Sequence, residues 1–335
     1  MDVLVWAGSK LENMQLPDPF ITTIQNVFKE DGRKFLAVLP VLIEDASQRW
    51  GLKDVQPVSN LSYNFVAFAK RGNQDVVLKI GVPNPELTSE MAALKLFNGD
   101  GACRLLEADE EHGALLLERL KPGTMLSELK NDDERTHIAV DVMQKIWKPA
   151  EILESGSLLP DVEQQAVPLQ NNFIKLSNWF EALKSIRPHF NGGPGPFPKK
   201  LLGYVEFVLP ELFADKNIKL LHGDFHHFNI LSSERGWLVI DPKGVVGPAG
   251  YEIGPLMINP WNSTSDRVNF SAQTERRVSI LAERLGWERE IILNWAAAHA
   301  VLSTWWDIQD GMDWKYTMGC AQLFFEISNG SNWYN

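Results

Sequence analysis

Asp224, Asn229 five positions later, and Asp241 seventeen positions after Asp224 stand out in the stretch 219–244, KLLHGDFHHFNILSSERGWLVIDPKG. Carboxylate and amide oxygens are hard ligands that suit a small divalent cation such as Mg²⁺. A further carboxylate can orient a hydroxyl and accept its proton. Together, such groups suit phosphoryl transfer, in which dispersed negative charge must be neutralised while an attacking hydroxyl is held in place. The elements that must position them are short buried strands. Residues 219–221 and 237–240 are rich in Leu, Val and Ile and are bounded by Gly, Asn, Ser and Asp, so the acidic and amide groups stand where strands end.

The order His222-Gly223-Asp224, then Asn229, a strand and Asp241 resembles the catalytic loop and metal-binding aspartate of kinases. It is not the protein-kinase form: His222-Gly223-Asp224 replaces H-R-D, and Asp241-Pro242-Lys243-Gly244 replaces D-F-G. H-G-D-x-x-x-x-N followed by a strand and Asp resembles the aminoglycoside phosphotransferase and choline kinase superfamily. The D-P-K-G form, with its continuation through Tyr251 to Pro260, most resembles the branch of streptomycin 6-phosphotransferases and hydroxyurea phosphotransferases. The resemblance implies Asp224 as catalytic base, and Asn229 and Asp241 as Mg²⁺ ligands. His222, His226 and His227 are read as shaping the loop. Lys243 either helps neutralise phosphate charge or is a surface residue after a turn. Two positions depart from the branch: Pro248 stands where an acidic residue is expected, and Glu252 where an Asp is expected, keeping the charge with a longer reach.

Upstream, residues 76–80 read Val-Val-Leu-Lys-Ile, so period two sets Val76, Leu78 and Ile80 on one face and Val77 and Lys79 on the other. A lysine on an apolar strand is either an edge residue reaching solvent or, by the resemblance, the lysine that pairs with nucleotide phosphates. Asn84-Pro85 begins a helix, with Asn as cap and Pro in the first position. Leu87, Met91 and Leu94 form its buried stripe, and Glu90 beside that stripe is the implied partner of Lys79, with Glu86 as second choice. Strands at 102–107 and 114–120 follow, and the second runs into Glu118-Arg119-Leu120-Lys121-Pro122-Gly123, which resembles the linker between kinase lobes. There, main-chain groups of Glu118 to Leu120 would hydrogen-bond adenine. No Walker A loop and no G-x-G-x-x-G precedes Lys79, and the polar residues 59–64 are either a phosphate-covering loop or an ordinary hairpin tip.

The remaining pattern predicts two helices in 19–50, broken at Asp31-Gly32 and Pro40. Strands follow over 55–70 and 75–80, joined by a turn at 71–74. Helices follow the linker, one capped by Asp132 or Asp133, one carrying Phe173, Leu176, Phe180 and Leu183, and others near 199–212, 268–285, 288–306 and 314–327. The expected fold is α+β, bilobal and protein-kinase-like, with an antiparallel-sheet N-lobe and a mostly helical C-lobe. Residues 1–15 are a possible arm, 16–120 the nucleotide-binding lobe with two leading helices, and 121–335 the helical lobe carrying the catalytic loop and substrate site.

A net charge of −11 argues against nucleic acid, whose binding rests on basic contacts, and is compatible with a cationic substrate. Cys103 and Cys320, the two cysteines, lack metal spacing and fit a reducing cytosol. The apolar runs are too short to span a membrane. The reading is therefore a cytoplasmic enzyme, monomer or homodimer, that uses ATP or GTP with Mg²⁺ to phosphorylate a small-molecule hydroxyl acceptor. Streptomycin-type aminoglycosides and hydroxyurea are implied by the resemblance, and an endogenous sugar or amino alcohol is the alternative. Asp307, Asp310 and Asp313 follow Trp305-Trp306. There, Asp307 and Asp310, with Glu252, are candidate substrate contacts for ammonium or guanidinium groups, against a plain solvated helix end. From a different class, His222, Asp224, His226 and His227 allow a metal-dependent hydrolase. A binding module without chemistry would keep the lobes, but nothing in the three core groups motivates it.

Overall fold

A computed structural model describes residues 16–149, 173–260 and 267–330; the possible arm at 1–15 lies outside them. Two units are distinguished, Met1–Gly99 with Cys103–Arg119, and Asp100–Ala102 with Leu120–Asn335.

In the first unit, α1 (Asp18–Trp50) is two helices meeting at Lys29, whose φ of 52° and ψ of −119° are not helical. The break thus falls ahead of Asp31-Gly32, and Pro40 lies inside the second helix. Close packing accounts for the bend: a Cβ on Gly32 would stand only 3.0 Å from the Ile24 carbonyl carbon, so the second helix folds back against the first at a residue without a side chain. Pro40 removes one helical hydrogen bond, but Leu36, Leu39 and Ile43 around it are buried in the core, which keeps the helix in register on the sheet. That sheet contains β1 (Leu52–Pro57), β2 (Phe65–Arg71), β3 (Gln74–Ile80), β4 (Leu105–Asp109) and β5 (Ala114–Glu118), in the order β1-β2-β3-β5-β4 with antiparallel neighbours throughout. Arg71 pairs with Gln74 across a two-residue turn in which Gly72 takes the left-handed φ of 61°. Between β3 and β4, α2 (Pro85–Phe97) is capped by Asn84, whose side chain accepts from the N–H groups of Glu86 and Leu87 at 2.8 and 3.1 Å.

The second unit is mostly helical: α3 (Asp132–Ile146), α4 (Leu176–Phe180), α5 (Ile186–His189), α6 (Lys199–Ala214), α7 (Ile253–Met257), α8 (Arg267–Leu285), α9 (Arg289–Gln309) and α10 (Lys315–Asn329). Its centre is α9, which packs against α6, α7, α8 and α10 and buries residues all round, Trp295 and Trp305 among them, as an interior helix must. Two expectations are corrected here. The cap of α3 is Asn131, which accepts from the N–H groups of Asp133 and Glu134; Asp132 is instead paired with Arg277 and Arg135. The apolar stripe at 173–183 forms no single helix but a two-residue strand, α4 and a 3₁₀ turn, because Leu176, Phe180 and Leu183 satisfy burial in short turns equally well.

Two small sheets complete this unit. β6 (Pro122–Met125), β10 (Ile230–Ser233) and β11 (Gly236–Val239) form one, in the order β11-β10-β6; β7 (Lys148–Pro149), β8 (Ile174–Lys175), β9 (Ile218–Leu221) and β12 (Val245–Pro248) form the other, in the order β7-β9-β12-β8. The strands on either side of Asp224 therefore belong to different sheets. Among the described residues, no helix is long and apolar enough to cross a membrane.

Candidate active site

The chain leaves β9 at Leu221, crosses to β10 through residues 222–229, and returns from β11 to β12 through 240–244. The crossing is held by main-chain and imidazole contacts. His222 is fully buried. Its Nδ1 accepts from the Asp224 N–H at 3.1 Å and its Nε2 donates to the Ile240 carbonyl at 2.8 Å, which fixes one neutral tautomer. Burial pushes this imidazole down to about 4. Asn229 accepts through its main-chain oxygen from the Ile240 N–H at 2.9 Å, so Asn229 and the residue before Asp241 are locked together. Asp241 has a left-handed φ of 57°, a conformation that Asp tolerates better than most residues. Gly223 has φ of 84°, and a Cβ there would come 2.7 Å from Val245, 3.1 Å from the Lys243 Cβ and 3.2 Å from the Trp179 ring. Only glycine fits.

Asp224 and Asn229 are in contact. The Asn229 Nδ2 donates to the Asp224 carbonyl at 3.0 Å and approaches Oδ2 at 3.4 Å. That bond settles the amide orientation and leaves Oδ1 as the atom for a cation. Asp224 keeps 43% of its side-chain surface exposed, with the His226 Nε2 3.4 Å from Oδ1. Burial by the surrounding loop would push its carboxyl up, but the fields of His226, Lys243 and His222, with the His226 hydrogen bond, more than offset this and hold it well below the usual range. It is therefore a carboxylate at neutral pH. Asn229 and Asp241 offer the oxygen donors a Mg²⁺ site supported by substrate phosphates requires.

Glu252 is corrected from substrate contact to positioning residue. It has no exposed surface, and its two oxygens accept from the main-chain N–H groups of His222, at 3.1 Å, and Gly223, at 2.8 Å. Burial pushes its carboxyl up to about 8, against the effect of those two donors. The Glu252 side chain thereby holds the main chain of the two residues before Asp224.

In the first unit, the Lys79 Nζ lies 2.6 and 2.8 Å from the two carboxylate oxygens of Glu90, and both side chains are almost fully buried. β3 lies between β2 and β5, so the edge-strand reading of Lys79 does not hold. Glu118 ends β5; its N–H donates to the Arg104 carbonyl at 2.9 Å and its carboxylate accepts from the Arg104 N–H at 3.1 Å. That N–H is committed to the sheet and is not open to adenine. Leu120 begins the longer segment of the second unit and is buried.

Asp307 lies near the end of α9, half-buried, with its Oδ2 accepting from the Thr317 hydroxyl at 2.8 Å. Burial, together with Asp310 and Asp313, pushes its carboxyl up; Asp310 itself is exposed. Trp179, which no local motif marks, links this end to the loop. Its ring lies against Gly223 and meets Trp306 edge-on at 5.7 Å. Helical periodicity around it gave only burial.

The hydrolase alternative loses its ligands. Both His222 nitrogens are spent on the main chain, and His227 is fully buried. Among the described residues, no group of three or more His, Cys, Asp or Glu is arranged to hold a metal.

The chain is similar to known kinases and phosphotransferases. The chain is 25% identical over 301 residues to streptomycin 6-kinase of Streptomyces glaucescens, covering 89% of this chain and 92% of that one. It is 29% identical over 282 residues to hydroxyurea phosphotransferase of Kitasatospora aureofaciens, covering 84% and 76%. Its fold is similar to that of choline kinase LicA from Streptococcus pneumoniae, with a TM-score of 0.54 at 15% identity, covering 87% of this chain and 98% of that one. A thermostable mutant of aminoglycoside phosphotransferase APH(4)-Ia is similar in fold, at 0.54 and 14%, covering 87% and 99%. Residues 49–311 match the family described as aminoglycoside/hydroxyurea antibiotic resistance kinase, and the chain belongs to that family of phosphotransferases.

Proposed function

We propose that the chain transfers the γ-phosphoryl group of ATP, or of GTP, to a hydroxyl of a small-molecule acceptor of the streptomycin type, with hydroxyurea as the second candidate. The observation that carries this reading is the direct contact of Asp224 with Asn229, backed by the main-chain tie from Asn229 to the residue before Asp241. A charged Asp224, partly open to solvent, accepts a hydrogen bond from the acceptor hydroxyl and takes its proton as the new bond forms. Asn229 through Oδ1 and Asp241 through its carboxylate would hold Mg²⁺, which neutralises charge on the phosphates when bound. His222 and Glu252 keep the loop rigid, so the Asp224 carboxylate is aimed without reorganisation. In its own unit, Lys79 contributes a phosphate contact, with Glu90 fixing its direction.

The acid-bearing end of α9 favours the cationic acceptor. Asp307 is half-buried and directly follows Trp306 in the chain, whose partner Trp179 touches the loop residue before Asp224. A carboxylate suits an ammonium or guanidinium group, whereas hydroxyurea is neutral and needs no such acid.

The test is Mg²⁺-dependent nucleotide consumption with streptomycin, other aminoglycosides, hydroxyurea and choline supplied in parallel, with Asp224→Asn as control. Phosphorylated streptomycin from the wild type and none from the variant is the expected result. Turnover of hydroxyurea alone would move the assignment to that acceptor. Acceptor-dependent turnover that survives in Asp224→Asn would defeat the mechanism.

A further inference from the structure

We propose that Lys243 is a catalytic residue of this reaction, its ammonium contacting the phosphoryl group in transfer next to Asp224; this rests on the phosphotransferase reading above. Lys243 is placed by its main chain, whose N–H donates to the His222 carbonyl at 2.6 Å. Any residue except proline could supply that bond. The side chain leaves the backbone directly beside the loop: the Lys243 Cβ is 3.1 Å from where a Cβ of Gly223 would stand. Gly223 immediately precedes Asp224, and its bare α-carbon is what allows this approach. The residue is partly exposed, so its end can reach a bound substrate.

The charge balance gives the ammonium its task. The loop presents two carboxylates, Asp224 and Asp241, in a chain of net charge −11, and a triphosphate adds more negative charge. During transfer, the bond from the γ-phosphorus to the bridging oxygen breaks, and its electron pair leaves with the nucleoside diphosphate. The acceptor oxygen forms the new bond to phosphorus, and its proton passes to Asp224. Lys243 keeps its protons throughout and neutralises the equatorial oxygens, over which negative charge is spread in the transition state. A lysine on a flexible stem is a compact point charge that can follow these oxygens as they move.

Two full-length variants test this, Lys243→Met and Lys243→Arg. The first readout is ADP formation from Mg-ATP with streptomycin or hydroxyurea. The second, which needs no acceptor, is ADP affinity with Mg²⁺, with and without aluminium fluoride as mimic of the transferring group. Lys243→Met should lower kcat about 10²-fold, while acceptor KM and plain ADP affinity stay within about threefold. It should also lose the tightening that aluminium fluoride gives the wild type. Lys243→Arg should retain kcat to within about tenfold and keep that tightening. A Lys243→Met enzyme with wild-type kcat and wild-type tightening would overturn the proposal, and so would equal losses in both variants, since arginine preserves the charge. Failure of the underlying reading has a different signature: no aluminium fluoride effect in the wild type, and no loss of turnover in Asp224→Asn.

Discussion

Replacing Glu252 by glutamine changes almost no volume but alters two things at once: how the His222 and Gly223 amides are satisfied, and how stability depends on pH. The glutamine oxygen can serve one amide, while its NH₂ faces the other donor, and an unmade bond to a buried donor costs about 1–3 kcal/mol. The pH term has the opposite sign. Glu252 is fully buried, and its carboxyl is pushed up from 4.5 to about 8. Its contribution to stability is therefore fully present below pH 4.5 and is lost as pH rises towards 8, because the unfolded chain releases the proton first. Between pH 6 and 8 the wild type loses about 2.5 kcal/mol through this group, at 1.36 kcal/mol per unit, and glutamine loses none. Glu252→Gln should thus be less stable than wild type near pH 5, and the deficit should shrink or reverse by pH 8. The swing is about 5–10 °C in Tm for a unit of this size. Urea or thermal unfolding followed by tryptophan fluorescence reads it, since Trp179, Trp295 and Trp305 all pack in the unit that carries Glu252. Turnover should fall by about tenfold or more through misplacement of Asp224. A stability difference that stays constant from pH 6 to 8 would refute the reasoning, because it would mean that Glu252 titrates as an ordinary carboxyl.

Other perturbations follow from the same geometry. Lys79→Met strands the buried Glu90 carboxylate and should cost about 3–5 kcal/mol of stability, with Glu90→Gln milder; a denaturation midpoint unchanged by Lys79→Met would show that Glu90 finds another cation. On the acid side, burial pushes the neutral imidazoles of His222 and His299 down to about 4. Each should therefore remove up to about 3 kcal/mol of stability as pH falls from 6.5 to 4, where the unfolded chain takes up protons and the folded one does not. Urea midpoints at pH 6.5 and 4.5 measure this, and His299→Gln should flatten the profile. Asp307→Asn should raise KM for a cationic acceptor about tenfold, with kcat unchanged; an equal rise for hydroxyurea would remove the carboxylate from acceptor recognition.

Much of the fold was legible because its signals are local. Asn84-Pro85 states a helix start within two residues, the 71–74 turn fixes the β2–β3 register, and alternation in β3 separates Lys79 from the core face. The α+β character follows from these patterns. The two loops at 222–229 and 240–244 could likewise be located from types and spacing, since a short chain between two strand ends leaves its side chains few places to go.

What the chain order could not convey is which distant segments cover which residue. Glu252 reads as an exposed acid until the His222 and Gly223 amides are seen to close over it. Trp179 is merely apolar until Gly223 and Trp306 come to meet it from positions 44 and 127 residues away. The bend in α1 falls at Lys29, where Gly32 packs on Ile24, and not at Pro40. Types and spacing set what each residue can do chemically. Burial, hydrogen-bond partners and charge are properties of neighbours, and neighbours across tens of residues are chosen only when the chain packs.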